Sequence, residues 1–175
     1  MMPRTYEPIA SQTLGSDTAS VEFTGIGSGY TDLVLVLFTR STNTTTGSSS
    51  IGLRIGNGSV DTGSNYSTTY LQGNGSAASS SRLSSQTEAF VGQHYRGSGS
   101  TTTFGINVVH IMSYANTNVF KTILSGGGPA NDILVRNVSL WRSTSAVTNV
   151  LVRNLAGSDS LGSGSVLSLY GVKAV

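Results

Sequence analysis

The stretch Tyr30-Thr-Asp-Leu-Val-Leu-Val-Leu-Phe-Thr-Arg40 sets six apolar residues, from Leu33 to Phe38, side by side with no polar interruption. A half-buried strand alternates polar and apolar positions, so a continuous run rich in Val and Leu reads as a strand covered on both faces. The β-branched Val34 and Val36 disfavour a helix, as do the polar, Gly-rich flanks. The run is also far shorter than the ~20 residues of a membrane-spanning helix. Residues 32–39 are therefore expected to form the innermost strand of a sheet that packs against a second layer.

Working outward, Val21-Glu-Phe23 places two apolar side chains on one face, a short strand before the turn Gly25-Ile-Gly-Ser-Gly29. That glycine run precedes a strand and opens no helix, so it reads as a turn and not as a phosphate loop. Downstream, residues 41–49 are a polar loop without an apolar anchor. Ile51, Leu53 and Ile55 alternate with Gly52 and Arg54 as a half-buried strand. Residues 66–72 form the next strand, and the Ser/Ala tract at 76–85 reads as a loop. Further strands are expected at 87–91, 104–112, 119–124, 133–141, 147–152 and 166–172, with Gly126-Gly-Gly-Pro129 as a breaker. Within 104–112, Phe104, Ile106 and Val108 share one face while Val109 and Ile111 take the other, so its far half reads as covered on both sides. Good helix formers are scarce throughout. Around ten short strands separated by turn signals predict an all-β, jelly-roll-like antiparallel β-sandwich.

A chain of 175 residues is one domain by size. Pro3 and Pro8 in residues 1–10 favour an extended arm, leaving 11–175 as the sandwich. Arg4 and Tyr6 in that arm are candidate contacts to a neighbouring subunit or another protein. Charged residues make up only 10% of the chain, against a norm of roughly 25%. Ser, Thr, Asn and Gly fill the difference. Such a surface lacks the mutual repulsion that keeps monomers apart, which points to a homo-oligomer. The net charge of +2 comes from eight Arg and two Lys spread singly, which argues against nucleic acid as a partner. No window resembles a signal or membrane segment, and the absence of Cys removes disulfides and thiolate metal sites.

Candidates for chemistry are few. His94 and His110 have no paired metal-ligand spacing; His110 reads as a hydrogen-bonded core or lining residue and His94 as a loop residue. Asp61-Thr-Gly-Ser-Asn65 could donate oxygens to Ca²⁺ but carries a single carboxylate. No nucleophile elbow or zinc-protease motif appears. No enzyme activity, metal or cofactor is therefore expected. Tyr66, Tyr70, Tyr95 and Trp141 are amphipathic rings able to stack on a sugar, and Tyr95 and Trp141 are the candidates for a glycan site, with core packing the competing reading for both.

Three stretches carry a resemblance: Thr13-Leu-Gly-Ser with Val21-Glu-Phe-Thr-Gly-Ile and Tyr30-Thr-Asp-Leu-Val-Leu; Asp61-Thr-Gly-Ser-Asn-Tyr-Ser-Thr-Thr-Tyr-Leu71; and Gly164-Ser-Val-Leu-Ser-Leu-Tyr-Gly-Val172. Together they resemble a group of small virion proteins of tailed bacteriophages, many of them marine or cyanobacterial. The resemblance implies a jelly-roll-like sandwich on the virion surface, as a capsid decoration (cement) protein or as a tail-fibre or receptor-binding module, and with the low surface charge it makes a homotrimer the expected oligomer. The short segment ahead of the domain favours a stand-alone decoration protein bound to the major capsid protein or another virion protein. Adhesion to a host surface glycan is the alternative. No catalytic residues come with the resemblance.

Overall fold

Thirteen strands and no helix make up the described residues, 5–97, 101–155 and 157–173, of the computed structural model. In chain order they are β1 (Tyr6–Thr13), β2 (Ser20–Phe23), β3 (Asp32–Thr39), β4 (Gly47–Asn57), β5 (Ser59–Val60), β6 (Tyr66–Gly73), β7 (Ala78–Gln86), β8 (Ala89–Arg96), β9 (Gly105–Ile111), β10 (Lys121–Gly128), β11 (Leu134–Trp141), β12 (Asn149–Asn154) and β13 (Val166–Val172). One sheet has the order β1-β13-β3-β9-β10-β11-β6-β7; the other runs β2-β12-β4, with β5 and β8 both pairing with β4. Every ladder is antiparallel, so the protein is the β-sandwich its sequence predicts.

The expected central strand is β3, held between β13 and β9. Leu33, Leu35 and Leu37 point into the sandwich and are fully buried, against Val109 and Ile111 on β9 and Leu167 and Leu169 on β13. Ile51, Leu53, Ile55, Val150 and Val152 close the core from the smaller sheet. Each such side chain contributes roughly 1.5–3 kcal/mol when removed from water. The other face of β3 departs from expectation. Val34 is buried and Val36 half-buried, but Phe38 is 43% exposed, because no second layer covers that side.

Strand β8 explains the polar residues inside. One of its edges pairs with β4. The other meets side chains of the large sheet: Asn107 Nδ2 donates to the Gln93 carbonyl at 2.8 Å, Asn107 Oδ1 accepts from Gln93 N–H at 3.2 Å, Asn137 Nδ2 donates to the Phe90 carbonyl at 3.0 Å, and Thr68 Oγ1 accepts from Phe90 N–H at 3.3 Å. Buried backbone groups must find partners, and here side chains replace a neighbouring strand. A Cβ at Gly92 would collide with the Asn107 amide, so the close approach requires glycine.

Four expectations need correction. The tract at 76–85 lies largely in β7, a long edge strand paired with β6 from Tyr66↔Gln86 to Gly73↔Ala78; backbone pairing holds it, so it needs no apolar pattern. Gly126–Gly128 ends strand β10 and does not break it, since glycine lets the backbones of Ile106 and Ile133 approach where a Cβ would clash. His94 lies not in a loop but in β8, fully buried. The boundary at residue 10 is no structural break: residues 6–13 are extended, yet they pair with β13 of the same chain, with a bulge between Pro8 and Ala10. Glu7 meets Lys173 at 3.0 Å and Ile9 packs against the core, so β1 belongs to the sandwich.

Candidate interaction surface

In an ordinary sandwich the inward positions are apolar and the outward ones polar. Across β9, β10 and β11 this arrangement is partly reversed. Asn107, Ser125, Asn137 and Ser139 face inward, where several of them serve β8, while Ile106, Val108, Leu124, Leu134 and Val138 face outward. Strand register assembles the outward residues into rows. One row runs Val36, Val108, Gly126, Arg136, Leu71; the next runs Val34, His110, Leu124, Val138, Thr69. Phe38 and Ile106 stand opposite each other in a third, where Phe104 stacks on Phe38 at 4.5 Å.

The exposures of Phe38, Ile106, Val108, Leu124, Leu134, Val138 and Leu71 run from 38% for Leu124 to 61% for Leu134. With strands ~4.8 Å apart and same-face residues ~6.8 Å apart along a strand, their three rows across five strands span roughly 19 by 14 Å. The largest apolar patch of a monomer is often its functional surface. The outer side of the smaller sheet differs: Arg54 and Arg153 each lie 3.7 Å from Glu88, and Glu22 accepts from Asn149 Nδ2 at 2.9 Å.

Relief comes from the glycines of β10. Arg136 lays its aliphatic stem over Gly126. Beyond it, Gly128 carries no side chain, leaving an open depression of about 480 Å³ between Ile106, Leu134 and Gly73. A second, of about 360 Å³, lies between Thr69, Arg82, Thr122 and Val138, and a third, of about 170 Å³, between Leu71, Ala78 and Leu134. Charge is one-sided. Arg136 and, at the β7 end of the row through Val138 and Thr69, Arg82 have no side-chain ion-pair or hydrogen-bond partner among the described residues. The carboxylate on the strands of this face, Asp32, is engaged: Oδ2 meets His110 Nε2 at 3.1 Å and Oδ1 accepts from Ser113 N–H at 2.6 Å.

Of the residues singled out in the sequence for chemistry, His110 lies within this face, and the others with a described position lie apart from it or at its margin. Arg4 lies outside the described residues; Tyr6, on edge strand β1, is 55% exposed. Trp141 is buried, with its indole donating to Asp61 Oδ2 at 2.7 Å, and cannot stack on a sugar. Tyr95 is half-buried on β8 in the other sheet, so the two proposed glycan residues form no common site. Burial pushes the Asp61 carboxyl up, but hydrogen bonds accepted from the Trp141 indole, Asn65 Nδ2 and Gly63 N–H outweigh it and hold the carboxyl below the ordinary range. No cluster of three or more His, Asp or Glu suited to a metal occurs among the described residues. Lys121 is buried and has no acidic partner among the described residues: Nζ donates to the carbonyls of Asn116, Val119 and Thr144, and burial lowers its pKa.

The face itself was only partly visible in the sequence. Ile106 and Val108 share a side as their spacing predicts, but the far half of that strand is not covered on both sides, since Val108 is 45% exposed; nothing in the pattern shows which side of a two-sided apolar strand is left open. No family model matches the sequence, and no curated protein matches it. Among solved structures, an alginate lyase in complex with an alginate tetrasaccharide aligns at 11% identity over 94% of this chain and 80% of that one, with a TM-score of 0.30. A likeness this slight carries no argument about fold or activity.

Proposed function

We propose that this chain is a non-enzymatic structural protein of a tailed-bacteriophage virion, a decoration protein that binds and stabilises the capsid shell as a homotrimer at the virion surface. The observation that supports it is the uncovered apolar face of the large sheet. A sandwich that leaves seven large apolar side chains open to water on one side is built for protein contact. The resemblance in the strand and turn motifs supplies the kind of assembly, and the low charge of the chain suits close packing beside other proteins. Adhesion to a host glycan is the weaker reading, since with Trp141 in the core it would rest on the half-buried Tyr95.

The test is location and copy number. Labelled antibody on intact particles is expected to cover the shell in many copies. Labelling confined to the tail tip would overturn the decoration reading in favour of receptor binding, and absence from particles would overturn both. Light scattering of the purified chain, alone and with shells, reads the trimer.

A further inference from the structure

The apolar face has two candidate occupants, a second copy of this chain or a different protein, and its charges discriminate between them. Arg136 lies within the face and Arg82 at its β7 margin, both exposed and both without an acidic partner. Asp32 is already held by His110 and Ser113. Asp132 belongs to the turn beyond the strands, where it and Arg96 flank Gly47. Asp132 also lines the end of the depression over Gly128 and has no ion pair among the described residues, so a second copy laid face to face would bring two guanidinium groups to the interface for each carboxylate able to meet them. Burying unpaired like charges disfavours such a dimer. The chain as a whole is cationic as well, at +2.

We infer that the outer face of the eight-stranded sheet is the docking site for a segment of a different protein, one that presents apolar side chains flanked by carboxylates. This rests on the proposed role in assembly and names the chemistry of the partner. The apolar side chains cover Val108, Leu124 and Val138 and enter the depression over Gly128. The carboxylates reach Arg136 and Arg82, whose planar forks accept a carboxylate in bidentate fashion. Homotrimer contacts then fall elsewhere on the sandwich.

The test uses the purified chain and two synthetic peptides, one alternating Val with Glu and one alternating Val with Lys, followed by methyl NMR. The Val/Glu peptide is expected to shift the methyls of Val108, Leu124 and Val138, and to bind at least tenfold more weakly to the Arg82→Glu/Arg136→Glu variant. The Val/Lys peptide is expected to leave those methyls unmoved. Equal binding of both peptides, binding of neither, or undiminished binding to the variant would overturn the inference. Concentration-dependent shifts of the same methyls without peptide would assign the face to a second copy instead. Because no particles enter this experiment, its failure is separable from failure of the virion reading, which particle labelling decides.

Discussion

His94 is enclosed by groups that define its protonation. Asn154 Nδ2 approaches Nε2 at 3.1 Å as a donor, so Nε2 accepts and Nδ1 carries the proton, donating to Thr39 Oγ1 at 3.2 Å. Burial disfavours the imidazolium and brings the pKa down to about 4, against a smaller opposing effect of Asp159. The unfolded chain takes up a proton near pH 6.5 while the native state does not until about pH 4. Stability is thus full above pH 6.5 and falls as pH drops through that window, by about 3 kcal/mol. Thermal melts from pH 7 to pH 4 should show that fall, and His94→Gln, less stable at neutral pH, should lose less across it. An unchanged profile in the variant would remove His94 from the explanation. A second residue-scale expectation concerns the polar edge of β8. Asn107→Leu strands the backbone groups of Gln93, and Gly92→Ala drives a methyl into the Asn107 amide; each is expected to cost about 1–3 kcal/mol in denaturant unfolding. None of this was legible in the sequence. His94, between the expected strand at 87–91 and Gly97, has the look of a loop residue, and nothing in the sequence marks Asn107 and Asn137 as inward, because their partners are backbone groups of β8.

At the scale of elements, apolar patterning marks the strands that build the core and passes over the edge strands β1 and β7, which are held mainly by backbone pairing. β3 announces itself because Leu33, Leu35 and Leu37 build the core while Val34, Val36 and Phe38 belong to the apolar outer face. Serine-rich β7 and Pro-containing β1 do not, since an edge strand needs hydrogen bonds more than hydrophobicity. The Gly126–Gly128 segment misled for another reason. Glycine there answers to close backbone approach within a ladder and not to a turn. Leu35→Asp is the decisive element-scale substitution: it places a carboxylate at a fully buried position between β13 and β9, costing several kcal/mol, and is expected to abolish cooperative folding in circular dichroism melts. A soluble variant with an unaltered melt would show that β3 is not the core strand.

For the whole molecule, the unbroken run at residues 33–38 demands cover on both faces, and the sandwich supplies it on one. The second cover is assigned here to another protein, which joins the sequence pattern, the reversed polarity of β9 to β11 and the unpaired arginines in one explanation. The chain contains no cysteine, so a single Val108→Cys substitution at the centre of the face is a clean probe of whether that cover exists. Thiol labelling is expected to be fast in the isolated chain and at least tenfold slower in assembled particles, while a Thr24→Cys control after β2 changes less. Equal labelling of Val108→Cys in both states would contradict the central claim that this face is where the protein meets its partner.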